Sequence, residues 1–167
     1  MLSRERTVPV DTFFSVRLKD QRITAQKGSG RCWMFSGLNM LRPIVAKSLK
    51  CDEIELSQNY LYFFEKLERA NLYLNAIIAT RDKPYTDRTV EFLLKSGSND
   101  GENWQGFVQL VSKYGVVPQD VMPETFSSSN SDQVTKVLSL KLKQAAVRIR
   151  HESSADGIAR IKTQALK

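Results

Sequence analysis

Apolar residues recur at steps of three or four through most of this chain, the spacing of a helix with one buried face. The first such run follows a loop with two glycines and consists of Met34, Leu38, Leu41 and Val45. Pro43 lies inside this run and should kink the helix or end its first part near Arg42. Further runs predict helices over about 57–78, 87–95, 103–114 and 132–150.

Local signals mark where several of these helices begin, end and face water. Ser57 is a good N-cap for the second helix, and Gly97 and Gly115 are stop signals for the third and fourth. Glu65 and Arg69 are four residues apart and should form a pair on the exposed side of the second helix.

The remaining stretches carry weaker patterns. A loose alternation from Phe13 to Gln26 predicts one or two short extended segments. The segment Ser127–Ser131 is typical of a polar linker. We therefore predict one partial domain over 1–167, predominantly helical, with its helix-rich part at 13–150 and a polar basic tail at 151–167.

The composition is that of a globular protein. The 167 residues are 41% hydrophobic and 26% charged, which excludes collagen, a disulfide scaffold and wholesale disorder. No apolar run approaches the roughly 20 residues that span a bilayer, and residues 1–10 are too polar for a signal peptide. We therefore expect a cytoplasmic protein with no membrane segment.

The net charge is +7, and part of it is concentrated near the end of the chain. Residues 136–167 contain eight Lys and Arg against two acids. The simpler interpretation is a solvated helix face. The alternative is a basic surface that holds nucleic acid or an acidic protein, although no base-reading motif accompanies it.

Two cysteines and one histidine limit the metal and disulfide chemistry of this chain. Cys32 and Cys51 lie 19 residues apart without a second Cys–His pair, so no zinc site is expected. A disulfide between them is disfavoured in a reducing cytoplasm.

One cluster, Q-K-G-S-G-R-C-W-M-F at 26–35, has the pattern of a nucleophile. It places Cys32 in the first turn of a helix, where free N–H groups and the helix dipole stabilise a thiolate. The Gln26 amide and the backbone N–H of Cys32 could together form an oxyanion hole for an acyl intermediate. The alternative is that Cys32 is a small buried hydrophobe.

These residues resemble the papain-like cysteine peptidases, and within them the bleomycin hydrolase and aminopeptidase C family. That family replaces the usual C-G-S-C-W with S-G-R-C-W, as at 29–33. The resemblance covers about 13–150 and includes L-N-M-L-R at 38–42, E-L-S-Q-N-Y-L at 55–61, F-E-K-L-E at 64–68, N-D-G at 99–101, Trp104, K-Y-G-V-V-P at 113–118 and M-P-E-T at 122–125.

The resemblance implies an α+β papain-like fold, of which this chain covers mainly the helical half that carries the nucleophile. It implies Cys32 as nucleophile and Gln26 as oxyanion donor. Trp33, Asn99, Asp100 and Gly101 would line the substrate cleft. The family members are thiol aminopeptidases that trim peptide N-termini, form hexameric rings and use neither a metal nor an organic cofactor.

Two departures from the family pattern bear on function. The family's catalytic His and Asn lie in a downstream half for which this chain has no counterpart. The single histidine, His151, follows Cys32 by 119 residues and lacks the family's context, so we expect a surface residue near a helix end. Glu102 stands where the family has a second glycine, and it could crowd the cleft, favour cationic side chains or be a tolerated loop substitution.

Three functions are compatible with these residues. The first is the front part of a cysteine aminopeptidase, with negligible turnover on its own because no imidazole delivers a proton to the leaving amine. The second is a non-catalytic basic module that binds nucleic acid or an acidic protein. The third is a fragment without a function of its own.

Overall fold

The computed structural model describes residues 12–16 and 21–167, which form seven α-helices joined by short irregular segments. The helices are α1 (Cys32–Leu49), α2 (Gln58–Ala79), α3 (Arg88–Ser96), α4 (Trp104–Tyr114), α5 (Phe126–Ser129), α6 (Asp132–His151) and α7 (Ala155–Ala165), with one 3₁₀ turn at Gln119–Val121. In the described residues, isolated β-pairing joins Gly28 to Asn130 and Leu56 to Pro118. None of the helices in this described part is long and apolar enough to cross a membrane.

The long helix α2 is shared by two hydrophobic clusters. Its first half packs with α1 and α4 in a cluster that contains Met34, Leu38, Leu61 and Phe107. Its second half packs with α6 and α7 in a cluster that contains Leu74, Leu142 and Ile158. The middle of α2 therefore lies at the junction of the two clusters, where the loop before Cys32 and the N-D-G segment at 99–101 meet it.

Several helix boundaries agree with the sequence prediction because capping side chains set them locally. The Ser57 hydroxyl accepts a bond from the Tyr60 N–H at 3.0 Å at the start of α2. Gly97 and Gly115 follow α3 and α4 with φ of 62° and 71°, a left-handed conformation that favours glycine.

Of the two outcomes predicted at Pro43, an end of the helix near Arg42 is wrong, because α1 is continuous from Cys32 to Leu49; the kink stays a prediction. Pro43 removes one helical hydrogen bond, but the helix is held from outside at the preceding residue. The buried Arg42 side chain donates to the carbonyl oxygens of Ile54 and Arg22, each at 2.7 Å. These bonds and the buried face of α1 keep the helix intact.

The expected polar tail is instead the packed helix α7. Ser154 caps it by accepting from the Gly157 N–H at 3.1 Å, and Ile158 and Ile161 are buried against the second cluster. The two isoleucines were too few to stand out in a basic segment. The expected linker Ser127–Ser131 also differs, since α5 occupies most of it.

Two further predictions concern extended segments and the exposed face of α2. The described residues 12–16 and 21–27 contain no strand, and 17–20 lie outside the described residues.

The Glu65–Arg69 pair forms as predicted, but it does not lie on the exposed side of α2, because the Glu65 side chain is only 4% exposed. It faces the interior because the segment from Asn99 to Glu102 covers that part of α2.

Candidate active site

Cys32 is the first residue of α1 and its side chain is exposed, so the interpretation as a buried hydrophobe is wrong. The Arg31 carbonyl accepts from the N–H groups of Met34 and Phe35, each at 3.0 Å, and so starts the helix. The first N–H groups of an α-helix have no acceptor within it. The thiol of Cys32 therefore lies in the first turn of α1, at the positive end of the helix dipole.

The loop before Cys32 is closed by Gln26 and Ser29. The Gln26 amide donates to the Ser29 carbonyl at 2.7 Å, and the Ser29 hydroxyl donates to the Gln26 carbonyl at the same distance. An amide NH₂ has two donors, so this pairing fixes the Gln26 side chain and leaves it one donor. The role of Gln26 as an oxyanion donor stays a prediction.

Arg31 joins the loop before Cys32 to the segment that follows α4. Its guanidinium makes two bonds of 2.8 Å to Glu124, donates to the Ser29 hydroxyl at 2.9 Å and lies over the rings of Phe35 and Tyr62. The Arg31 side chain is 1% exposed. Burial opposes ionisation of Glu124, but the bonds from Arg31 and from a nearby serine outweigh it and lower the pKa of Glu124.

The N-D-G segment at 99–101 lies directly against the turn at Gly30 and the start of α1. The Trp33 indole N–H donates to the Asp100 carbonyl at 2.9 Å, and the Gly30 N–H donates to the Asp100 carboxylate at 3.3 Å. A Cβ on Gly30 would lie 2.6 Å from the Asp100 Cβ, so the contact requires glycine. The structure thus brings together two motifs that are about seventy residues apart in sequence.

The Asp100 carboxylate is turned into the protein. Lys66 and Thr135 donate to it at 2.7 and 2.9 Å, and the Ser131 hydroxyl also donates to it. Lys66 additionally donates to the Asn99 carbonyl. Burial raises the pKa of Asp100, but the bonds from Lys66 and Ser131 prevail and lower it to about 2. The carboxylate is therefore ionised at neutral pH.

Arg69 holds the next two residues of the segment. It donates to the Gly101 carbonyl at 2.8 Å and to the Glu102 carboxylate at 3.1 Å. A Cβ on Gly101 would meet nothing within 4 Å, so the surface beside Gly101 is open. Glu102 faces an open groove of about 640 Å³ between α2 and α4. Because its charge is paired with that of Arg69, Glu102 is not a free anion.

His151 is far from this site. It is exposed at the end of α6, where its neighbour Arg150 donates to the Thr80 carbonyl at 2.9 Å. Thr80 follows the last residue of α2 and is 14 residues after Lys66. At a rise of 1.5 Å per residue, Thr80 and Lys66 are therefore about 21 Å apart along the helix axis. His151 is therefore no base for Cys32. Among the described residues, no three His, Cys, Asp or Glu side chains form a metal-binding group.

Sequence reasoning missed the residues that anchor the site, although their segments carried a signal. Lys66 lies in F-E-K-L-E and Glu124 in M-P-E-T, two segments in which the family resemblance was already visible. Ser131 and Thr135 had no such signal, since they fell in an expected linker and a helix start.

Comparisons with known proteins agree with this geometry. A model of the Peptidase C1-like family matches residues 1–167. The chain is 40% identical to aminopeptidase C of Lactobacillus delbrueckii subsp. lactis over 148 residues, 89% of this chain and 33% of that protein. It is 40% identical to human bleomycin hydrolase over 131 residues, 77% of this chain and 29% of that protein.

A solved structure shows the same fold. The crystal structure of PepW from Lactobacillus rhamnosis HN001 superimposes with a TM-score of 0.84 at 39% identity, covering 93% of this chain and 36% of the other. The arrangement described above is therefore the helical half of the papain-like fold. The chain spans about a third of the length of the curated relatives that it matches.

Proposed function

Because this chain belongs to the Peptidase C1-like family, we propose that it supplies the nucleophile-bearing part of a cysteine-type aminopeptidase. One observation carries the proposal: Cys32 is exposed at the first turn of α1, and the segment from Asn99 to Gly101 is fixed beside its loop. Trp33 and Gly101 would border the peptide, with the open side of Gly101 nearest the substrate.

In the proposed reaction, the Cys32 thiolate attacks the carbonyl carbon of the first peptide bond. The oxyanion that forms would accept from the Cys32 N–H and from the remaining N–H of the Gln26 amide. The C–N bond then breaks, the leaving amine takes up a proton, and a thioester remains on Cys32. Water hydrolyses the thioester, which releases the amino acid and regenerates the thiol.

The leaving amine needs a proton donor, which the described residues do not place near Cys32. His151 is too far away, and the relatives are about three times longer than the matched part. We therefore expect the 167 residues alone to react at Cys32 but to turn over substrate negligibly.

The first experiment uses this two-cysteine chain as its own control. Both cysteines are exposed, so limiting iodoacetamide followed by peptide mass analysis measures their relative rates on one molecule. We expect Cys32 to be alkylated several-fold faster than Cys51, since only Cys32 lies at a helix N-terminus. Equal rates would contradict the proposal.

A second experiment tests the peptidase activity directly. The chain is fused to the part of the Lactobacillus aminopeptidase C that follows the matched region, and hydrolysis of an aminoacyl-coumarin amide is measured. We expect activity that Cys32→Ala abolishes and Cys51→Ala retains. Activity that survives Cys32→Ala would mean that another group is the nucleophile.

We further propose the cytoplasm as the compartment, supported by two free, exposed cysteines. The hexameric ring implied by the family resemblance is proposed for the whole protein, and sedimentation equilibrium of the fusion tests it.

A role for the basic face of α6 in nucleic-acid binding stays a prediction. Two of its cations already have protein partners: Lys143 donates to the Lys95 carbonyl and Arg150 to that of Thr80.

A further inference from the structure

Asp100 is the point at which four parts of the chain meet. Its carboxylate accepts from the Gly30 turn and from Lys66 of α2. It also accepts from the hydroxyl groups of Ser131 and Thr135, at the start of α6. Its backbone carbonyl accepts from the indole of Trp33, the residue after the nucleophile. One residue thus joins the nucleophile turn, α1, α2 and α6.

The donors around Asp100 use its full capacity to accept hydrogen bonds. A carboxylate offers about four lone-pair positions, and the donors are the Gly30 N–H, the Lys66 ammonium and the two α6 hydroxyls. The side chains of Asp100 and Lys66 are only 13% and 10% exposed. The carboxylate therefore has no acceptor left for a substrate, and its function lies within the fold.

The contact with Gly30 is also steric. A Cβ at Gly30 would lie 2.6 Å from the Asp100 Cβ, and no such approach is found between real Cβ atoms. The φ of Gly30 is not positive, so an alanine there would not strain the backbone itself. The glycine is needed because Asp100 presses against the turn.

We propose that Asp100 is a positioning residue for the nucleophile, which holds the Gly30 turn and Trp33 so that Cys32 stays at the start of α1. This inference rests on the proposed function, because it takes Cys32 as the reactive group. It assigns Asp100 a role different from the lining of the substrate cleft that the family resemblance implied.

Two variants separate positioning from charge. Asp100→Asn removes the carboxylate charge, whereas Gly30→Ala keeps every charge and forces the turn away from Asp100. A purely electrostatic role predicts a different result for each variant. Asp100→Asn, which removes a nearby anion, would speed alkylation of Cys32, and Gly30→Ala would leave the rate unchanged. Asp82→Asn, at a side chain that is 91% exposed, is the matched control for the substitution itself.

The readouts are the rate of iodoacetamide alkylation at Cys32 relative to Cys51, the indole N–H signals in a ¹H–¹⁵N NMR spectrum, and thermal unfolding. Trp33 and Trp104 are the two tryptophans, so the Trp104 signal is an internal reference. We expect both variants to lower the Cys32 to Cys51 ratio several-fold, toward equal rates, because each weakens the contact between the Gly30 turn and the Asp100 carboxylate. Both should also move the Trp33 indole signal.

Several results would overturn the proposal. One is a faster or unchanged Cys32 rate in Asp100→Asn, and another is an unchanged rate in Gly30→Ala. A lower melting temperature with an unchanged ratio would show that Asp100 only stabilises the fold. If Asp100→Asn does not fold, Ser131→Ala takes its place, because it removes one neutral donor and should lower the ratio in the same direction.

The design also separates this proposal from the proposed function. If Cys32 of the unmodified chain reacts no faster than Cys51, the assignment of the nucleophile fails. The Trp33 signal still reports whether Asp100 holds the turn. If Cys32 is selectively reactive and only the variants behave unexpectedly, the nucleophile stands and the positioning role of Asp100 is refuted.

Discussion

The Arg31–Glu124 pair should be a main source of stability for the nucleophile loop, and Glu124→Gln tests this. The Arg31 side chain is 1% exposed and that of Glu124 21%. Removing one partner of a buried pair costs about 3–5 kcal/mol. Glu124 is partly solvated, and Arg31 keeps its bond to Ser29 and its two aromatic neighbours. We therefore expect Glu124→Gln to lower the free energy of unfolding by about 2–3 kcal/mol, slightly less than for a fully buried pair.

The measurement is unfolding by heat and by urea, followed by circular dichroism. A loss of this size lowers the melting temperature by about 5–10 °C for a chain of this length. Glu91→Gln is the matched control, because its pair with Lys95 joins side chains that are 55% and 75% exposed. Such a pair contributes less than about 1 kcal/mol. Equal effects of Glu124→Gln and Glu91→Gln would refute the reasoning.

The pH dependence gives an independent check. The folded-state pKa of Glu124 is lowered from an ordinary value of 4.5. Its ionised form therefore stabilises the fold fully above that value, and the stabilisation is lost as the pH falls through the lower folded pKa. The difference in melting temperature between the unmodified chain and Glu124→Gln should be full at pH 7 and shrink below pH 4.5. A difference that is the same at pH 3 and pH 7 would contradict this account.

Three further predictions concern packing and use urea unfolding. Gly37→Ala should lower the free energy of unfolding by about 1–3 kcal/mol, because the new Cβ would lie 2.5 Å from the Phe107 ring. An unchanged free energy of unfolding would show that α1 and α4 can separate freely. Tyr73→Phe should leave stability unchanged or raise it, since the buried hydroxyl has no hydrogen-bond partner in the described part of the chain. Tyr60→Phe, its control, loses a 2.9 Å bond to a main-chain carbonyl and about 1 kcal/mol. Ile158→Ala should lower the free energy of unfolding by about 2–4 kcal/mol if α7 is packed, and should leave it unchanged if α7 is a free tail.

The elements that could be predicted are those whose signals are local. Helices α2, α3 and α4 each begin at a capping side chain, and these three helices and α6 have an apolar face. Both signals lie within the segment itself. The continuity of α1 depends on Arg42, whose carbonyl partners lie 12 and 20 residues away. The burial of α7 depends on a groove formed by α2 and α6. Neither follows from a local pattern.

The same division holds within the site. The position of Cys32 at a helix start could be predicted from the glycine loop and the apolar period that follows it. The environment of Asp100 could not, because its partners come from three separate stretches of the chain, at 30–33, 66 and 131–135. Two of its donors, Ser131 and Thr135, are short polar side chains of the kind that also fills ordinary loops. Only the fold shows that they face an anion.

Glu102 illustrates why a charge in a sequence does not specify a preference for ligands. Next to a cleft segment, an unpaired carboxylate would favour peptides with a cationic side chain. Arg69, 33 residues earlier, already binds this carboxylate and the carbonyl of Gly101. A cationic substrate would have to displace an ion pair whose geometry is fixed by Glu65 behind it. Glu102 therefore has Arg69 as a protein partner, and its charge alone does not predict a preference for cationic peptides.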